Sequence, residues 1–251
     1  MWHQHFKQID STQIHLRHNL ALYQQKAPAI LISTTRQDNG IGQYGHHWSG
    51  FTNALKFSCT IAPVWVPKTT LPLSIILGLG IITYLQKLKV KGLTLKWPND
   101  IILGPHKCGG ILVEQHRATY IVGLGLNWGR ILPEENTVFA QSKNYIPLPA
   151  GPIFAQQDLG PDDFKTLPAQ IYTYWLDFLK NNTTAFTTHL PTTLQNAPWW
   201  RKGQMVQVAL PENKTIQGIF NGITPDGAAI INQDKIYSGS LMLPYNEQKH
   251  A

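Results

Sequence analysis

The sequence predicts an α/β protein, a mixed-sheet domain followed by a small all-β barrel. Three observations lead there. Short apolar runs at 29–33, 55–61, 93–97, 101–103, 110–114 and 120–124 have the length of strands. One longer run, Leu73 to Leu88, keeps its apolar residues on helical spacing. After Trp199 only short strand-like segments remain, punctuated by turn residues. Strands grouped in pairs around one long helix argue for a mixed sheet rather than a strictly alternating doubly wound one. The first domain is expected over residues 1–195 and the second over 199–251.

Taken in order, Ser11-Thr12-Gln13 precedes a helix-like run from Ile14 and reads as an N-cap. Ala29 to Ser33 is a buried strand leading into a polar, glycine-containing loop over 34–47. Leu55 to Ile61 and Val64-Trp65-Val66 read as strand-like stretches on either side of Pro63. In the helix from Leu73, Gly78 and Gly80 allow close approach to a sheet. Leu93 to Trp97 is a strand that Pro98 stops. Ile101 to Leu103, Gly110 to Glu114 and Tyr120 to Leu124 follow as strands joined by short turns. Residues 131–161, rich in proline and glycine, read as a surface excursion. Pro161-Asp162-Asp163-Phe164 opens a helix whose acidic first turn suits the macrodipole, and it runs through Ile171, Tyr174, Trp175 and Phe178. A second short amphipathic segment is expected to about His189. The barrel strands are Met205–Leu210, Ile216–Ile223, Ala228–Ile231 and Lys235–Leu243, with turns at Pro211-Glu212-Asn213 and Thr224-Pro225-Asp226-Gly227.

With 251 residues, 43% of them apolar, the chain can bury a core of one or two domains. The N-terminus lacks an apolar stretch of signal-peptide length. The apolar run from Leu71 to Leu85 is too short to cross a bilayer. A soluble, cytoplasmic protein is expected. Cys59 and Cys108 give no disulfide or metal framework and read as buried thiols in a reducing compartment. His3-x-His5 and His46-His47 lack the spacing of a zinc site. The formal charge of +7 is scattered, with no basic run of five. An acidic protein partner accounts for it better than nucleic acid or a membrane surface.

The chemistry concentrates in Lys96-Trp97-Pro98-Asn99-Asp100 and, seven residues after its aspartate, Lys107-Cys108-Gly109-Gly110-Ile111-Leu112-Val113-Glu114. Two lysines, an amide and a carboxylate surround one tight connection between apolar strands. That set can gather an anion and a metal-bound phosphate at one point. Asp100 either holds Mg²⁺ on phosphate oxygens or orients Lys107.

These two segments resemble the signature of the biotin protein ligases, where KWPND is followed by a lysine and GILVE. Asp10-Ser11-Thr12-Gln13, the stretch Gln37 to Trp48 and Ile121 to Asn127 match the same family in order. The resemblance extends to the C-terminus. It implies a biotin/lipoate ligase-type catalytic domain closed by an SH3-like domain, without a DNA-binding module ahead of Asp10. It also implies an enzyme that joins biotin to AMP at the expense of ATP and Mg²⁺. Biotin then passes to a lysine of a biotin carboxyl carrier protein. A homodimer is compatible with it, and a nucleic-acid partner is not expected.

Carried over residue by residue, the resemblance makes Lys107 and Asp100 catalytic, with Lys107 at the biotin carboxylate and the α-phosphate. It assigns Ser11, Thr12, Gln13, Gln37, Gly40, Ile41, Gly42, Lys107 and Gly110 to biotin, and Gln43, Trp48, Lys96, Asn99 and Asn127 to the nucleotide. A ureido ring needs uncharged donors and acceptors, which hydroxyls and amides supply. Two departures stand out. Gln13 occupies a position where asparagine is common, and Ile41, Gln43 and His46 occupy the arginine positions of the loop. Arg36 is the nearest cation that could replace those arginines.

Overall fold

Seven strands form one sheet in the order β1-β2-β3-β7-β6-β5-β4. They are β1 (Trp2–Ile9), β2 (Ile30–Gln37), β3 (Ala54–Ile61), β4 (Leu93–Lys96), β5 (Asp100–Leu103), β6 (His106–His116) and β7 (Thr119–Asn127). The computed structural model describes residues 1–48, 51–130, 132, 148–182, 201–210 and 214–242. Only β1 and β2 pair in parallel. That pair needs a crossover, which α1 (Thr12–Gln24) provides. α2 (Leu73–Lys87) and α3 (Asp163–Asn181) pack together on the opposite face. No helix among the described residues is long and apolar enough to cross a membrane.

β3 shows how the sheet divides its two faces. Leu55, Phe57, Cys59 and Ile61 join the core beneath α2 and α3. Lys56, Ser58 and Thr60 alternate with them and point the other way, toward α1. All eight residues of the strand are buried, so its polar face is covered as fully as its apolar one. Ile30, Ile32 and Ile121 complete a smaller core under Leu16, Leu20 and Tyr23 of α1. Gly78 lets α2 settle on Leu95 of β4, while Gly80 faces Trp175 and Phe178 of α3 instead of the sheet.

Several expectations need correction. β1 was not expected, because His3, Gln4, His5, Lys7 and Gln8 dilute its apolar pattern. Parallel pairing with β2 and ring contacts of Trp2 with Tyr23 and Phe6 with His15 hold it. Val64-Trp65-Val66 is not a strand. Pro63 starts a 3-10 turn over Pro63–Trp65, its fixed φ suiting a first helical position, and Val64 is 84% exposed. The excursion at 131–161 returns to the fold. Residues 148–160 run back over the domain, with Ala150 bridging Lys107 and both Ile153 and Leu159 buried. The segment expected to reach His189, the boundary near 195 and the turn at 211–213 lie outside the described residues.

The C-terminal sheet is antiparallel, in the order β11-β10-β9-β8-β12. Its strands are β8 (Gln204–Ala209), β9 (Thr215–Ile223), β10 (Ala229–Ile231), β11 (Asp234–Ile236) and β12 (Ser240–Met242). Lys235–Leu243 thus divides in two. Gly239, at φ +133, turns the chain so that β12 reaches β8 on the far edge. The sheet shares its core with the first domain through Val206, Val208, Phe220 and Leu241. Trp97, fully buried, donates its indole N–H to the Gly227 carbonyl at 2.8 Å.

Candidate active site

The strand register lines up Lys96, Asp100, Gly110, Gly125, Lys56 and Thr34 in one row across the sheet. Directly opposed residues in neighbouring strands project to the same face, here the α1 face. The two glycines leave a flat floor between Asp100 and Lys56, three strand spacings or about 14 Å apart. The next such row sets Ser58 opposite Gly123. Over this floor lies a cavity of about 140 Å³.

One end of the floor is charged. Asp100 is 7% exposed and its two oxygens meet two ammonium groups, Lys107 Nζ at 2.6 Å and Lys96 Nζ at 3.1 Å. Burial opposes ionisation of Asp100, but the two lysines outweigh it and hold the carboxyl below its ordinary value. Burial pulls the Lys96 ammonium down, against the support of Asp100. Lys107 is the more open lysine and faces the cavity, with Nζ 5.5 Å from the Trp48 ring centroid. Its backbone is fixed on both sides, N–H to Pro149 O at 2.8 Å and carbonyl from Gly151 N at 3.1 Å. The returning strap at 148–151 therefore sets the base from which Lys107 reaches.

The other end is lined mainly by hydroxyls and amides, and its one cation, Lys56, donates its Nζ to the Thr35 carbonyl at 3.0 Å. Ser11 caps α1, its hydroxyl accepting from Ile14 N at 3.4 Å, and it also lies on the cavity wall. Gln37 Oε1 accepts from the Thr12 N–H at 2.8 Å. The Ser58 hydroxyl lies 2.9 Å from Thr12 Oγ1 and 3.0 Å from Gln13 Oε1. Gly40 is not on the wall. A Cβ there would strike the Gln37 amide and the Trp48 carbonyl, so this glycine makes room for both.

Between the two ends arches the loop from Gly40 to Trp48. It is a small hairpin closed by backbone bonds, Gly42 N–H to His46 O at 2.7 Å and Trp48 N–H to Gly40 O at 2.7 Å, with an Ile41–His47 bridge. Tyr44 and Gly45 turn it at positive φ. Trp48 lies on the floor so closely that a Cβ on Gly125 would fall within 2.6 Å of its ring, and its buried indole N–H has no partner.

The fold brings Ser11, Thr12, Gln13, Gln37, Ile41, Gly42, Gln43, Trp48, Asn99, Asp100, Lys107 and Gly110 to one cavity wall. Lys96 and Asn127 stand behind it. Lys96 holds Asp100, and Asn127 sends its amide toward the Lys107 carbonyl at 3.5 Å. Arg36, the cation offered in place of the loop arginines, is not on the wall: it pairs with Asp38 at 2.8 Å, and its side chain is 71% exposed. Sequence reasoning missed Lys56 and Ser58 on the wall, Glu114 behind Gln13, and Ser240, which the C-terminal sheet contributes. The period-two alternation of β3 was the available signal for the first two. Both cysteines are buried, and burial pushes the Cys108 thiol up to about 12.

The donor set does not fit a resident magnesium ion. Among the described residues Asp100 is the one carboxylate on the wall, both its oxygens face ammonium groups, and no cluster of three metal-binding side chains occurs. Of the two roles open to Asp100, the geometry favours orienting the lysines.

Residues 5–128 match the Biotin/lipoate A/B protein ligase family, and residues 203–239 match the Biotin protein ligase C terminal domain. The chain belongs to this family. The bifunctional ligase/repressor BirA of Escherichia coli is 32% identical over 108 residues, covering 41% of this chain. The match spans about a third of that relative, 34% of its length. In fold, the chain resembles the biotin protein ligase from Aquifex aeolicus solved with biotin and ATP (TM-score 0.65, 23% identity, 96% of this chain and 97% of that one). It also resembles the biotin acetyl coenzyme A carboxylase synthetase from Helicobacter pylori solved with biotinylated ATP (TM-score 0.62, 23% identity, 93% and 98%). Both likenesses carry the family's fold across the catalytic sheet and the C-terminal sheet.

Proposed function

We propose that this protein is a biotin protein ligase. It makes biotinyl-AMP from biotin and ATP, then transfers biotin to a lysine of a carrier domain. One observation carries the reading: a hydrogen-bonding pocket of hydroxyls and amides and a lysine cluster face each other across a glycine floor. The pocket of Thr12, Gln37 and Ser58 suits an uncharged ureido head, and the floor suits an apolar chain. Lys107 suits the carboxylate at the far end. A lipoyl or octanoyl group would leave the polar end unsatisfied, at a cost for each buried polar group.

In the first step a biotin carboxylate oxygen attacks the α-phosphorus, and the bond to the β-phosphate oxygen breaks, releasing pyrophosphate. Lys107 lies where two anions must approach, so its ammonium screens their repulsion and stabilises the charge that develops between them. Asp100, itself braced by Lys96, holds that ammonium in place without reorganisation. Any magnesium would be held by the nucleotide's own phosphate oxygens, where it would offset their charge. Asn99, Gln43 and Trp48 lie on the wall where the nucleotide would rest. In the second step the neutral amine of the carrier lysine attacks the acyl carbon. AMP leaves as the C–O bond breaks, and the amine gives up its proton.

The carrier is the acidic partner that the net charge of +7 favours, and a cytoplasmic setting follows from that substrate. Incubation with biotin, Mg-ATP and a carrier domain should add one biotin to a single carrier lysine, by intact mass. The adduct should require both small molecules. Biotin binding with no adduct under any condition would leave a non-catalytic biotin-binding protein in its place.

A further inference from the structure

A single carboxylate outside the cavity sets the hydrogen-bond polarity inside it. Glu114 on β6 accepts from Gln13 Nε2 at 2.8 Å through one oxygen and from Arg17 Nη1 at 2.9 Å through the other. Gln13 and Arg17 are one turn apart on α1 and reach the same group. Gln13 Nε2 also donates to the Ile121 carbonyl at 3.2 Å. Both of its partners can only accept, so the NH₂ of Gln13 must face them. Its carbonyl oxygen must then face Ser58 and can only accept.

The remaining protons follow in turn. Ser58 must donate to Gln13 Oε1 at 3.0 Å, so the contact at 2.9 Å between the hydroxyls requires Thr12 to donate to Ser58. Gln37 Oε1 already receives the Thr12 N–H at 2.8 Å and does not need that hydroxyl proton, whose alternative path to it is longer, 3.3 Å. Every hydroxyl proton in the chain Thr12, Ser58, Gln13 therefore runs toward Glu114. The Thr12 and Ser58 oxygens are left with lone pairs for a ligand, and Gln37, anchored by its carbonyl, keeps its NH₂ for one. Two acceptors beside one donor complement a cyclic urea, which has two N–H groups and one carbonyl.

We propose that Glu114 is a positioning residue that selects ligands by their N–H donors, acting through Gln13 and Ser58. The proposal rests on the biotin reading above and deepens it. Glu114 is 29% exposed in its side chain, so it can be altered without opening the core. Glu114→Met removes both carboxylate acceptors and leaves the longer bond to the Ile121 carbonyl, 3.2 Å, as the one remaining hold on the Gln13 NH₂, so the hydroxyl protons are directed less firmly.

The test is calorimetric titration of the whole protein with biotin and with a carbamate analogue in which oxygen replaces one ureido N–H. The native protein should prefer biotin strongly. In Glu114→Met the affinity for biotin should fall about tenfold, the scale of one mispaired hydrogen bond, while the carbamate loses less and the preference narrows. In the ligation assay KM for biotin should rise with kcat within about twofold. Arg17→Met, which removes the ion pair but leaves the acceptor, should keep the preference. Gln13→Met, which removes the acceptor for Ser58, should narrow it by a second route and serves if Glu114→Met fails to fold. Equal losses for both ligands in Glu114→Met and Gln13→Met would overturn the proposal and leave a general structural role. Failure of the native protein to bind biotin at all would overturn the biotin reading as well.

Discussion

Lys107 gains its chemical character from the two groups behind it. Lys107→Ala should leave the fold intact, since the side chain is one-third exposed. It should slow single-turnover adenylation by roughly 100- to 1,000-fold, the cost of one preorganised transition-state contact. Near-native adenylation by this variant would exclude the role. Asp100 is different, because it is buried. Asp100→Asn strands Lys96, and breaking a buried ion pair from one side costs about 3–5 kcal/mol, which denaturant unfolding would read directly. The acid limb follows from the same pair. The folded Asp100 carboxyl titrates below its ordinary value despite its burial, because Lys107 and Lys96 favour the charged form. Its contribution is therefore complete above the unfolded value of about 3.9 and is lost as pH falls through the lower folded value. Native stability should drop with acid in that window more steeply than that of Asp100→Asn. Asp100 and Lys107 were legible in the sequence because their motif is short and its partners lie seven residues apart. Lys56 and Ser58 were not, and Glu114 was legible as the end of its motif but not as the partner of Gln13 and Arg17. Their neighbours come from other strands and from α1, and only the register across the sheet brings them together.

At the scale of elements, the loop over 40–48 carries the most consequential departure. It is closed by neutral backbone bonds and by Trp48 lying on Gly125, with Ile41, Gln43 and His46 where the family resemblance leads one to expect arginine. A charge-assisted hydrogen bond is worth about 1.5–3 kcal/mol, so a loop that makes none to an anionic intermediate should release it sooner. Replacing Ile41 and Gln43 with arginine should slow dissociation of preformed biotinyl-AMP by about tenfold or more, measured by stopped-flow displacement. The Ile41 bridge is a backbone contact and survives the change. Equal rates would mean that the hairpin and the Trp48 stack alone set the closure. Strands β2 to β7 and helices α2 and α3 were legible because their apolar spacing matches one period each. β1 and the Pro63 turn were not. An edge strand whose apolar residues are diluted by histidine, glutamine and lysine draws its order from its neighbour, and three apolar residues after a proline carry no period at all.

The whole molecule joins its two sheets at a place the motif alone does not reveal. Trp97, read from sequence as the last residue of a strand that Pro98 stops, is the buried post on which the turn at Gly227 hangs. That turn docks against Leu71 and Pro72 at the start of α2, and the same sheet sends Ser240 to the cavity wall. Stability of the joint and shape of the site are therefore one property. Gly227 stands at φ +84, a conformation that costs other residues roughly 1–2 kcal/mol. A Cβ there would lie 2.6 Å from the Pro72 ring and 2.9 Å from Leu71, so a larger side chain must also push the turn away. Overpacking of this kind adds typically 1–3 kcal/mol. Gly227→Val should thus destabilise the protein by about 2–5 kcal/mol, the sum of the two effects. Because the displaced sheet carries Ser240, KM for the substrates should rise in the surviving folded fraction. Trp97→Phe removes only the bond to Gly227 and some packing, so it should act in the same direction and more weakly. A Gly227→Val protein with lowered stability and unchanged KM would show that the C-terminal sheet braces the fold without shaping the cavity.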